Sequence, residues 1–176
     1  MKDRLYRGYT LIELIIAIGV FALVMTLSSG AYLMMIGLNR QAQGIATGID
    51  SLSFALEAMT RDIRTGSGYC SSSVPPCLLS VNPGSFSFKN KSGTAVTYSL
   101  SGSTLEKTVG ATQSPLTDPS VTISSLMFYA VGTQPAPGDY EQSRVTIIMA
   151  GTVTAGAGKT QSFNVETGAT MRGSDI

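Results

Sequence analysis

Histidine and tryptophan are absent from this 176-residue chain, cysteine occurs twice, and only 13% of the residues are charged. Without imidazole, a Ser-His-Asp nucleophile triad is excluded, and so is any metal centre that requires histidine. Two thiols are too few for an all-cysteine zinc site, and Cys70 and Cys77 do not have the C-x-x-C redox spacing. A formal net charge of +1 offers no basic field to a nucleic-acid backbone. The scarcity of charge is also uneven. Residues 14–39 carry no charged side chain at all.

That uncharged run is the first thing present in quantity. A membrane helix needs about 20 apolar residues to cross a hydrocarbon core of about 30 Å, and this run is long enough. Lys2, Arg4 and Arg7 precede it against a single Asp3. Positive charge holds its own end of a span in the cytoplasm, so the C-terminal bulk is expected on the other side. A secretory signal would be cut after the apolar run at a small-x-small site, and Ala22, Ser28 and Gly30 offer loose versions of one. An uncleaved anchor is the other plain possibility. Neither accounts for Gly8 just before the run together with Glu13 just inside it. An ionisable side chain in such a segment is costly unless something pairs with it.

The stretch Arg7-Gly8-Tyr9-Thr10-Leu11-Ile12-Glu13-Leu14 closely resembles the processing motif of type IV prepilins and type II secretion pseudopilins. The resemblance implies cleavage after Gly8 by a membrane prepilin peptidase, which also N-methylates the new amino terminus, Tyr9. Tyr9 stands where the family more commonly has Phe. It further implies that Glu13 pairs with the amine of a neighbouring subunit during filament assembly. After cleavage that amine would be a cation at the membrane edge, and pairing would offset the desolvation of both charges. Tyr9 and Glu13 are also four residues apart, a spacing that places both on one helix face and leaves an intrachain pair open. The implied partners are the peptidase, other pilins or pseudopilins, an inner-membrane assembly platform and membrane lipid; no nucleic acid is expected.

Beyond the apolar run, Leu38, Ala42, Ile45, Ile49, Leu52, Leu56, Met59 and Ile63 recur at spacings of three and four. They form an apolar stripe on an otherwise polar helix, suited to packing on a sheet. Glu57 and Arg61 read as a solvated i,i+4 pair, and Gly66 as the helix end. Gly19, Gly30, Gly37, Gly44 and Gly48 lie within the helix, either to let membrane helices approach closely or to permit bending. Gly30 stands where many major pilins carry a proline, which points toward a minor subunit. The segment Leu56-Glu57-Ala58-Met59-Thr60-Arg61-Asp62-Ile63-Arg64 resembles the helix end of J-class minor pseudopilins, and Phe163-Asn164-Val165-Glu166-Thr167 is similar to a late strand of that group.

Short β-branched segments separated by turn residues follow. Strands are expected near 85–89, 95–100, 104–109, 121–131, 144–153 and 160–166, with a seventh over 169–172. Val145, Ile147 and Met149 are expected to face the helix stripe. In an extracytoplasmic domain a Cys70–Cys77 disulfide is the natural reading, with two free thiols as the alternative. No cofactor is expected. Calcium, which takes oxygen ligands, has only Asp118, Asp139 and Glu141 to draw on, at no recognised loop spacing. Gly156-Ala157-Gly158-Lys159-Thr160 lacks the first glycine of a phosphate loop, because Val153 stands there, and reads as a hairpin turn.

The expected fold is α+β and pilin-like: a long N-terminal helix packed on an antiparallel β-sheet domain. Residues 1–8 form the leader, 9–38 the transmembrane and assembly half of the helix, 39–65 its amphipathic half, and 66–176 the extracytoplasmic β-rich domain. The expected function is that of a minor pilin or pseudopilin, at the filament tip and initiating assembly, without enzymatic activity. The alternatives are a single-span anchored binding module outside any filament, and an anchored enzyme for which no residue constellation speaks.

Overall fold

A computed structural model describes residues 8–69, 80–133, 141–156 and 158–172. One helix, α1 (Leu11–Thr65), is followed by eight strands: β1 (Ser80–Pro83), β2 (Ser85–Lys89), β3 (Ala95–Ser101), β4 (Thr104–Val109), β5 (Thr112–Pro115), β6 (Val121–Val131), β7 (Arg144–Thr154) and β8 (Thr160–Thr170). The architecture is therefore α+β, a long N-terminal helix with antiparallel sheets. The chain divides into two compact units, Met1–Arg40 and Gln41–Ile176, and the division falls inside α1.

In the first unit the helix is apolar on all sides. Its large side chains, Leu14, Phe21, Leu27 and Leu33 among them, are more than half exposed. A Cβ added at Gly19, Gly30 or Gly37 would meet nothing within 4 Å.

The second unit holds two four-stranded sheets rather than one. The first has the order β1-β6-β7-β8 and the second β2-β3-β4-β5, with every pairing antiparallel. The second sheet is a meander whose turns use the expected residues. Asn90 Oδ1 accepts the N–H groups of Ser92 and Thr94 at 3.0 and 2.9 Å, closing the β2–β3 turn. Gly84 carries the chain from one sheet to the other. Its N–H donates to Leu126 O in β6 (2.8 Å), and its carbonyl accepts the Leu100 N–H of β3 (2.7 Å). Its φ of +84° is one that side-chain-bearing residues rarely adopt.

One core joins both sheets to the helix. Alternation places Val145, Ile147 and Met149 of β7 inward, fully buried with Leu52, Ala55, Met59 and Ile63 of α1. A slip between Ile123 and Ser125 keeps both Ile123 and Leu126 of β6 on that inward face. Phe86 of β2 stacks on Phe128 of β6 at 5.1 Å between ring centroids and so links the two sheets. Tyr69, Phe88 and Tyr98 extend the aromatic cluster.

The face that α1 presents differs from the expected stripe. Ile49 is 52% exposed, and Leu38 and Ala42 are exposed as well, while Gly48, Ala55 and Ala58 are buried. The reason is close approach. A Cβ on Gly48 would overlap Val153 Cγ1, and one on Gly44 would lie 3.1 Å from Thr154 O. Around Gly44 and Gly48 the helix settles on β7 through its smallest residues, which turns Ile49 outward, whereas Leu52, Met59 and Ile63 of the expected stripe are buried further along. Neither membrane-helix approach nor bending is needed to explain these two glycines.

Gly66 follows the helix end, but its role is also close packing, since a Cβ there would overlap the Phe88 ring. The left-handed conformation falls on Gly68, at φ +64°. The terminal carbonyls find partners: the Tyr69 hydroxyl lies 2.5 Å from Ile63 O and 2.9 Å from Gly66 O, and the Arg172 N–H donates to Arg64 O at 2.9 Å.

Six expected strands are present at or near their expected bounds. The short β1 and β5 were not expected, and β8 runs unbroken to Thr170, so 169–172 is no separate strand. The residues before Gly8, expected as a leader, the cysteines Cys70 and Cys77, and the expected 134–139 loop lie outside the described residues.

Candidate processing and assembly segment

Gly8 and Tyr9 precede the first helical turn as irregular chain, and both are exposed, Tyr9 at 86%. A Cβ on Gly8 would meet nothing within 4 Å. Thr10 caps the helix: its Oγ1 accepts the Glu13 N–H at 3.3 Å, and its carbonyl accepts the Leu14 N–H at 3.2 Å. Thr10-Leu11-Ile12-Glu13 has the T-x-x-E spacing of a capping box, a helix-start signal that the motif itself carries. Glu13 sits exposed in the first turn, where a carboxylate is favoured by the helix dipole. Because α1 starts at Leu11, Tyr9 is outside the helix.

The helix that follows is long and apolar enough to cross a membrane, with none of its apolar window buried against the rest of the chain. Gly8, Tyr9 and Glu13 are therefore brought together by sequence adjacency alone.

The other candidates fall elsewhere. Asp118 shapes its own turn, its Oδ1 accepting the Ser120 N–H at 2.8 Å while its N–H donates to Ser51 Oγ at 2.9 Å. Asp139 lies outside the described residues, and among these no group of three or more His, Cys, Asp or Glu side chains gathers. Lys159 closes the β7–β8 turn, its carbonyl accepting the Ala155 N–H at 2.7 Å and its N–H donating to Gly156 O at 3.0 Å. Gly156 and Gly158 both have φ of +74°, which is a hairpin turn and not a phosphate cradle.

One polar cluster could not be read from sequence spacing. Asp62 on α1 accepts from the Tyr98 hydroxyl at 2.7 Å and from Lys107 Nζ at 2.5 Å. Glu57 and Arg61, the expected pair, stay exposed. Burial of Tyr98, then its bond to Asp62 and the charge of that carboxylate, hold the phenol well above its ordinary value near 10. These residues stand 36 and 45 positions from Asp62, so only the β3–β4 pairing brings them to the helix. The cluster fastens α1 to the second sheet.

A long N-terminal helix, apolar in its first half and packed on antiparallel sheets in its second, is a pilin-like architecture. Residues 3–29 match the family model of the prokaryotic N-terminal methylation motif, which is characteristic of type IV pilins and pseudopilins. The match takes in residues 3–8, the Gly8–Tyr9 junction, Glu13 and much of the apolar run. No curated protein and no solved structure matches the chain.

Proposed function

We propose that this chain is a structural subunit of a type IV pilus or type II secretion pseudopilus, of the minor class, positioned at the filament tip where assembly begins. The observation that carries this is the methylation motif set directly before an apolar helix that the chain itself leaves uncovered. Prepilin peptidase cuts between Gly8 and Tyr9 and methylates Tyr9. The protein then waits as a single-span inner-membrane protein with its β domain outside the cytoplasm. On assembly the apolar surface passes from lipid into a bundle of like helices, and Glu13 takes the N-terminal amine of a neighbouring subunit as its counter-charge. The work is mechanical: the chain contributes surface and register, and it performs no chemistry on a substrate. The exposed Gly8–Tyr9 junction suits a peptidase that must take the strand in extended form.

Mass spectrometry of the protein isolated from its host tests this. The expected N-terminus is methylated Tyr9, and Glu13→Gln is expected to leave cleavage intact while incorporation into filaments falls to background. A mature protein beginning at Met1, or normal incorporation of the Glu13→Gln variant, would overturn it.

A further inference from the structure

The cations of the β domain are not spread evenly. The unit Gln41–Ile176 has eight lysines and arginines among its described residues, and six of them come to one end. Arg61 and Arg64 lie in the last turns of α1. The Arg172 N–H donates to Arg64 O at 2.9 Å, and the Met171 N–H donates to Ser143 O at 2.9 Å, which sets Arg144 next in line. Lys89 exchanges two backbone hydrogen bonds of 2.8 Å with Ser67, just past the helix end, and Lys91 sits in the β2–β3 turn that follows. All six side chains are exposed.

The acids do not follow them. Asp50 and Asp118 stand at the other end, where Ser51 Oγ accepts the Asp118 N–H at 2.9 Å and Gly48 meets Val153. Asp62 is already held by Tyr98 and Lys107. Glu57 makes no ion pair with Arg61, and Glu166 lines the same open depression as Arg144 without pairing with it. Glu141, three residues before Arg144, is the other acid at this end; Asp139 and Asp175 lie outside the described residues. Among the described residues no carboxylate is paired with any of the six cations. A net charge of +1 over the whole chain therefore conceals a domain with one positive end. The sequence could not show this, because the six positions run from 61 to 172 and only the fold collects them.

We infer that this end of the β domain binds a linear phosphodiester polymer through Arg64, Arg172, Arg144, Lys89 and Lys91, reading its repeated charge and not its sequence. Three observations select that chemistry. Arginine predominates among the six, and its planar fork matches phosphate oxygens two at a time. The cations stand on four separate elements spread over a surface and line no pocket, which suits charges repeated along a chain better than one isolated phosphate. The aromatic rings at this end, Tyr69, Phe88 and Tyr98, are all buried, so bases find no platform to stack on. What remains is phosphate contact with release of counterions. The inference concerns the β domain alone and does not rest on the filament reading.

The test titrates the full chain in neutral detergent against two fluorescent probes, a short random-sequence DNA duplex and poly(glycerol phosphate), over a series of salt concentrations. Log affinity for the duplex is expected to fall with log salt at a slope of about −3 or steeper. Arg64→Gln combined with Arg172→Gln is expected to weaken binding at least about tenfold at fixed salt and to flatten the slope by about two. Arg144→Gln, on a different element, should flatten it by about one. Lys159→Gln, in the turn at the other end, should change nothing. All four side chains are exposed, so melting of the variants is expected to stay as in the parent. Lys2, Arg4 and Arg7 are common to every protein in the series and cancel in the comparison. Tighter binding of the duplex assigns nucleic acid as the source of the phosphate, and tighter binding of the polyol phosphate assigns an envelope polymer. Binding of neither probe at low salt, or equal losses from Lys159→Gln and the Arg64–Arg172 double variant, would overturn the inference. Competition by glycerol 3-phosphate that matches the polymers phosphate for phosphate would overturn the polymer, and equal binding of polygalacturonate would overturn the choice of phosphate.

Discussion

The two halves of α1 use small residues in opposite surroundings. In the first unit Gly19, Gly30 and Gly37 have open space around them, and the apolar side chains between them are exposed. In the second, Gly44 and Gly48 are where the helix backbone meets the end of β7, and Leu52, Ala55, Met59 and Ile63 further along are buried. The same residue type thus answers to different neighbours. One half of the helix is shaped for surfaces that this chain does not provide, lipid first and then like helices under the proposed function. The other half is fitted to a sheet that the chain builds itself.

The sharpest way to break that contrast is to put one substitution in both halves. Gly48→Leu forces a side chain into Val153 and is expected to destabilise the β domain by about 3 kcal/mol or more. Gly30→Leu meets nothing within the chain and is expected to leave domain stability unchanged within about 0.5 kcal/mol. Denaturant titration of the full chain in detergent, followed by a probe confined to the β domain, checks both. Equal effects at the two positions would erase the distinction.

A smaller loss is expected where the helix is fastened to the second sheet. Asp62→Ala leaves the Tyr98 hydroxyl and Lys107 Nζ without their shared acceptor, at a cost of about 1–3 kcal/mol. The Asp62 and Lys107 side chains are 22% and 24% exposed, so solvent screens the pair and the lower part of that range applies. The same titration reads it, and Lys107→Met in the Asp62→Ala background should add little if the two groups act as a pair.

A further effect appears only in alkali. The folded state keeps the Tyr98 proton that the unfolded chain releases near pH 10. The corresponding stability is therefore complete below pH 10 and falls above it, by up to about 1.4 kcal/mol per pH unit. Tyr98→Phe should flatten that slope while costing about 1 kcal/mol at neutral pH. Denaturation midpoints measured from pH 8 to 12 for the two proteins decide it. Parallel curves would show that Tyr98 is not the group responsible.

Much of this was open to inspection in the chain itself. The long β6, β7 and β8 follow from alternating β-branched residues between turn signals, and the inward face of Val145, Ile147 and Met149 follows from period two. Thr10-x-x-Glu13 announces the helix start in four letters. The short strands are different. Thr112–Pro115 is exposed throughout and has no apolar alternation, while Ser80–Pro83 reads as the approach to a turn; each is held by its neighbour strand and not by its own pattern. The helix stripe, read by apolarity, holds at Leu52, Met59 and Ile63, while around Gly44 and Gly48 the buried face is chosen by size.

Order along the chain was enough to establish the charged N-terminal stretch, the glycine before an apolar run, the acid in the first turn and the helix that follows. Each of these is a local property of consecutive residues, and each keeps its meaning however the remainder folds. Tertiary structure alone decided which side of α1 is covered, that two sheets share one core, and that Asp62, Tyr98 and Lys107 meet. Those outcomes depend on distances between residues remote in sequence, where a missing methyl at Gly48 counts for more than an apolar side chain at Ile49.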